Sequence, residues 1–185
     1  METALVVATL TAIVTAAGWY ASYRSAHAMA LRKDRLEYVN RQLSELYGPL
    51  YISCEAGQAA YHTLLRKLGR TEGIFECENP PTDEEVEEWF YWMKHVLWPI
   101  NERRDDLILK KSHLLVEQSI PTCITEFSAH VASYRALFAK WDAGDFSERY
   151  STVAFPEHLG DYVEKSFSQL KAEQSRLLAS LNSNG

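Results

Sequence analysis

From Thr3 to Tyr23 the chain carries no charged side chain, and no comparable uncharged stretch appears after Arg24. Such a run, 21 residues at about 1.5 Å each, crosses a hydrocarbon core of about 30 Å as a helix. No Pro precedes Pro49 and Gly18 is the only Gly before Gly48, so the pattern predicts one helix from Thr3 to Tyr47. Gly48-Pro49 is expected to end or bend it.

One heptad phase of this helix changes character along its length. Ala4, Ala8, Thr11, Thr15, Gly18, Ser22 and Ser25 are all small. In the same register follow Met29, Arg32, Leu36, Val39, Leu43, Leu46 and Leu50, nearly all apolar. In lipid, small residues let helices approach closely, whereas in water apolar a and d positions are buried against a partner. Ala4, Ala8, Thr11, Thr15 and Gly18 are therefore candidate membrane-helix packing positions, with Ala12 and Ala16 on a competing small face. Leu36, Val39, Leu43 and Leu46 serve either self-association or the chain's own core, because an amphipathic stripe does not name its partner.

Beyond the bend, Tyr51, Cys54, Tyr61, Leu64, Leu65 and Leu68 recur at helical spacing, and Gly69 to Pro81 is the clearest loop. Thr82 stands three residues before Glu85, a capping box, and the acids from Asp83 to Glu88 suit a helix start. That helix carries Val86, Phe90, Met93 and Leu97 on one face and Trp89, Trp92 and Val96 beside it. Trp89 and Trp92 are candidates for an interaction surface, with burial in a core the favoured alternative. Pro99 should kink or restart the helix, which is expected to run to about Gln118. A further helix from Pro121 carries Phe127, Val131, Tyr134, Phe138 and Trp141, and a last one opens at Pro156 and reaches Leu181. Strand alternation is not sustained anywhere, and the β-rich patch from Tyr150 to Phe155 is too short for a sheet.

The expected fold is all-α: a single N-terminal transmembrane helix, residues 1–23, continuing into a cytoplasmic antiparallel bundle of about four to five helices, residues 24–181. Residues 182–185 are expected to be a flexible tail. Ala26-His27-Ala28 offers a small-x-small cleavage site, but only Glu2 is charged ahead of the run, where a signal peptide would be basic. Arg24, Arg32, Lys33, Arg35 and Arg41 follow the run with few acids among them, which places the rest of the chain in the cytoplasm and the N-terminus outside. Trp19, Tyr20 and Tyr23 lie where an aromatic belt would. A bacterial inner membrane is favoured over an organellar one.

Composition narrows the partners. With 19 Lys plus Arg against 25 Asp plus Glu, the net charge is −6, which disfavours nucleic acid. Cys54, Cys77 and Cys123 are odd in number and widely spaced, as in a reducing compartment, and form no zinc or redox motif. No phosphate loop, nucleophile elbow or dinucleotide fingerprint occurs.

Two constellations invite chemistry. His113 and Glu117 are four apart, as are Glu126 and His130, and the pairs mirror each other about Pro121. An antiparallel helical hairpin would bring these four together as a zinc or iron site, although the spacing differs from the Glu-x-x-His of di-iron bundles. No cofactor is otherwise expected. Asn101, Arg103, Arg104, Asp105 and Asp106 follow Pro99 and either line a pocket at the kink or form a solvent-facing charged turn, the usual fate of a charge run.

Three functional classes follow. The leading one is a non-catalytic single-pass membrane protein whose bundle is an oligomeric scaffold or an accessory subunit of a membrane complex. The second is a membrane-anchored sensor or effector, marked by a polar cavity containing His130 or the residues after Pro99. The third is a metal-dependent helical-bundle enzyme.

Overall fold

The computed structural model describes residues 1–75 and 78–182, without the side chains of Ala4 and Leu5. Cys77 and residues 183–185 of the expected tail lie outside it. Among the described residues there is no strand. The helices are α1 (Glu2–Gln42), α2 (Gly48–Lys67), α3 (Asp83–Trp92), α4 (Trp98–Lys111), α5 (Thr122–Asp142) and α6 (Leu159–Asn182).

At both Pro-containing junctions the chain restarts as a new α segment after a π-helical turn. Neither Gly48-Pro49 nor Trp98-Pro99 ends a rod: the π-helical turns Leu43–Tyr47 and Met93–Leu97 join α1 to α2 and α3 to α4 without a break. In an α-helix a proline ring strikes the carbonyl four residues back and leaves it without its N–H partner. Here the N–H of Gly48 donates to the Leu43 carbonyl, five residues back, and that of Trp98 to Met93. The widened turn puts each proline in the first turn of a new α segment, where it is tolerated. Gly48 is required in the first junction, since a Cβ there would lie 2.6 Å from the Leu43 carbonyl oxygen.

Two compact units emerge. One joins residues 1–40 to the described residues from Lys171 to Asn182. Within it the Arg35 guanidinium grips Glu173 through two bonds of 2.8 Å, and Gln174 donates to the Asn40 side chain at 2.6 Å. Its N-terminal stretch is the one helical segment among the described residues long and apolar enough to cross a membrane, with a mean hydropathy of 1.3 and none of that window buried.

The other unit spans residues 41–170. Leu64, Leu65, Trp89, Met93, Leu97, Tyr134, Leu137 and Trp141 form its main apolar cluster, drawn from α2, α3, the second π turn and α5. Phe90 and Phe138 meet Trp141 edge-on at 4.7 and 4.9 Å between ring centres. The indole N–H groups of Trp89 and Trp141 donate to the carbonyls of Arg149 and Glu148, which ties the loop of residues 143–158 to this cluster. The capping box at Thr82 forms as expected. Arg70 secures the preceding loop by donating to both Glu85 oxygens, at 2.7 and 2.9 Å, and to the carbonyls of Asn79 and Pro80.

The helix expected to reach Gln118 stops at Lys111, followed by one 3₁₀ turn, Ser112–Leu114. Tertiary partners take over the backbone there: Gln42 donates to the Leu114 carbonyl, and the Val116 N–H donates to the Tyr47 hydroxyl. Leu114 and Leu115 are buried by this departure.

Candidate functional site

A cavity of about 640 Å³ lies within the unit of residues 41–170. Its position follows from helical period. On α2, Cys54, Gly57, Gln58 and Tyr61 share one face at i, i+3, i+4 and i+7. Because the π turn carries the helix through Pro99, Met93, Leu97, Asn101 and Arg104 continue one inward stripe across the junction. His130 and Tyr134, four apart on α5, supply a third side. The loops close the remainder with Ile74 and Phe75 on one side and Tyr150 to Phe155 on the other, and the rings of Phe75 and Tyr150 meet at 4.6 Å. Such a volume, mostly apolar lining and few convergent polar groups are the ordinary properties of a small-molecule pocket.

Arg104 is the distinctive group. It is only 2% exposed, yet among the described residues no carboxylate pairs with it. Its Nη2 donates to the Ser53 carbonyl at 2.6 Å, its Nε to the Ser53 hydroxyl at 3.3 Å and its Nη1 to the Asn101 side chain at 3.3 Å. The guanidinium lies 5.2 Å from the Phe127 ring centre and 5.9 Å from that of Phe155. Gly57 makes room for it, since a Cβ there would stand 2.7 Å from Nη2. Burial lowers the Arg104 pKa, with the Cys54 sulfur acting weakly against that. Its chain neighbour Asp105 is equally buried but is fully engaged elsewhere, accepting from Ser128 at 2.8 Å and from Arg135 at 3.2 Å.

Three other polar groups of the lining, Cys54, His130 and Tyr134, are neutral near pH 7. Burial pushes the Cys54 thiol up despite Arg104, so it is not an activated thiolate. Burial also lowers the His130 pKa, against the pull of the Val153 carbonyl. That carbonyl, 2.8 Å from Nδ1, can only accept, so Nδ1 carries the proton and Nε2 of the neutral ring is an acceptor. Burial pushes the Tyr134 hydroxyl up to about 12.

The four residues expected to bind metal are not brought together. His130 lines the cavity, whereas Glu126 and His113 are exposed and Glu117 accepts from the Tyr162 hydroxyl at 2.8 Å. Helix α4 ends before His113, which removes helical spacing from His113 and Glu117. Among the described residues no group of three or more His, Cys, Asp or Glu is placed to hold a metal ion. The charged turn after Pro99 is likewise corrected: Arg103 and Asp106 face solvent, but Asn101, Arg104 and Asp105 point inward because the helix does not break.

Val39, Leu43 and Leu46 are buried within the single chain and Leu36 is half-buried, so the in-chain role of this stripe is the one observed. Trp89 is buried in the main cluster and Trp92 packs against it. Ala8, Thr11, Thr15 and Gly18 are all exposed, with the two threonine hydroxyls donating to carbonyls one turn back. Sequence reasoning missed Cys54, Gly57 and Tyr134 as cavity residues, and the one available signal was their helical spacing. No protein-family model, curated protein or solved structure matches the chain.

Proposed function

We propose that this chain is a single-pass, non-catalytic membrane protein whose cytoplasmic helical bundle is a binding domain, a membrane-anchored sensor or effector for a small molecule. The supporting observation is the cavity of about 640 Å³ that holds both His130 and the residues after Pro99. A scaffold has no need of an internal space with a buried cation, which is costly to maintain without a function. The uncharged stretch supports the anchor, since its apolar window is not covered by the chain itself. The basic residues from Arg24 to Arg41 support a cytoplasmic bundle by the positive-inside rule.

The test is thermal unfolding of the full chain in lipid nanodiscs against a chemically broad set of small molecules. A ligand at one hundred times its Kd should raise stability by about 2.7 kcal/mol. Cys54→Trp, which fills the cavity from α2, should abolish that rise. Failure of every compound to bind saturably would defeat a receptor role.

A second role, self-association through the membrane helix, is favoured by the exposed small face at Ala8, Thr11, Thr15 and Gly18. Gly18→Leu should then lower the size of the particle in mild detergent, and a monomer before substitution would dismiss it.

A further inference from the structure

Resting on the cavity as a binding site, we infer that its ligand is a monocarboxylate with an aromatic or otherwise apolar body, whose carboxylate docks on Arg104.

Charge is the first argument. A guanidinium has five N–H donors, and Ser53 and Asn101 engage three of them, which leaves two. A buried cation with no anion is under-compensated, and a planar fork with two uncommitted donors is the geometry that a carboxylate's paired oxygens satisfy. The Phe127 and Phe155 rings lie beside the guanidinium, 5.2 and 5.9 Å from its central carbon, and shield it from water without supplying an anion.

The lining sets the number of charges. Among the described residues Arg104 is the single Lys or Arg that borders the cavity, while Glu55, Glu157 and Asp161 border it as exposed acids. A dianion such as a phosphate monoester would have one cation to meet and three anions to pass, so the balance selects a monoanion. The body of the ligand would lie against Phe75, Trp89, Met93 and Tyr134, and neutral His130 offers an acceptor to a ligand hydroxyl or amine.

Matched sets distinguish the possibilities: benzoate, 1-naphthaleneacetate and decanoate, each beside its primary amide, with 1-naphthyl phosphate as the dianion. Binding to the full chain in nanodiscs is followed by calorimetry. At least one acid should bind about tenfold or more tighter than its amide, as expected for a charge-assisted pair in a buried site. Arg104→Met should erase that preference, and Arg104→Lys, which keeps the charge but not the fork, should retain only part of it. Exposed Glu157→Gln provides an arm that leaves Arg104 in place and should strengthen acid binding about two- to threefold with little effect on amides. Equal binding of acids and amides would overturn the carboxylate while leaving the cavity a receptor. Tighter binding of the phosphate would overturn the single-charge selection, and no binding by any probe would defeat the receptor and its ligand together.

Discussion

Arg70 and Arg104 are both buried, at 9% and 2% exposure, and their surroundings differ in one respect. Arg70 faces a carboxylate and two backbone carbonyls, so its charge is answered and its fork holds the loop of residues 69–82 against the start of α3. Arg104 faces a carbonyl, a hydroxyl, an amide and two phenyl rings, and it borders a cavity. Burial of a charge is therefore not itself a mark of function. The informative feature is a buried charge whose counter-ion is missing beside a space that could admit one.

The largest effects should separate the two arginines by stability. Arg70→Ala should cost about 2 kcal/mol in urea unfolding, from its lost bonds to the loop carbonyls and its lost packing. Arg104→Met should change stability by less than about 1 kcal/mol, since replacing a poorly compensated buried ion by an apolar side chain of similar length is often neutral. Equal losses at the two sites would erase the distinction between a structural and a ligand-facing arginine.

Next in size is a pH effect confined to the first site. Arg70, followed by the Thr82 N–H, holds the Glu85 carboxyl down to about 2 from an ordinary value of 4.5. A carboxylate with a depressed folded pKa stabilises the fold above its unfolded pKa, and that contribution is lost as pH falls from about 4.5 towards 2. The stability difference between the wild type and Arg70→Ala should therefore narrow in acid by the part that Glu85 contributes, whereas that of Arg104→Met should keep a constant offset across the same window.

Gly57→Ala should give a smaller change still in stability but a clear one in binding. The added methyl displaces Nη2 of Arg104, the end of a flexible side chain, while alanine improves helix propensity by up to about 1 kcal/mol. Any acid preference of the cavity should fall with near-wild-type urea stability. Smallest of all, Lys94→Ala removes an exposed ion pair with Asp142 and should stay within about 0.5 kcal/mol. A larger loss there would mean that exposed pairs contribute to this fold on the scale of the buried Arg70 contacts.

Much of the fold was legible because it is local. The Thr82 and Glu85 capping box, the loop before it and the helical periods of α2, α3, α5 and α6 depend on residues within a turn or two of each other. The π turns were not legible, since a proline reads as a break unless the neighbouring helix makes continuation worthwhile. The early end of α4 was missed for a related reason: Gln42 and Tyr47, far away in sequence, satisfy the backbone that leaves the helix. His130 was singled out by the sequence, but its proposed metal partners required a helix that ends too soon.

By itself the sequence determined an uncharged N-terminal run, the basic residues behind it, an all-helical chain and the faces along which its helices are apolar. Those are properties of composition and of a 3.6-residue period, and they need no knowledge of what packs where. Only the tertiary structure decided that Val39, Leu43 and Leu46 are covered within one chain, that Asp105 finds Arg135 and Ser128, and that Arg104 is enclosed with no acid among the described residues to meet it. A charged residue's partner is set by contacts across many tens of residues, which no local spacing encodes, and the candidate site exists because one of those contacts is absent.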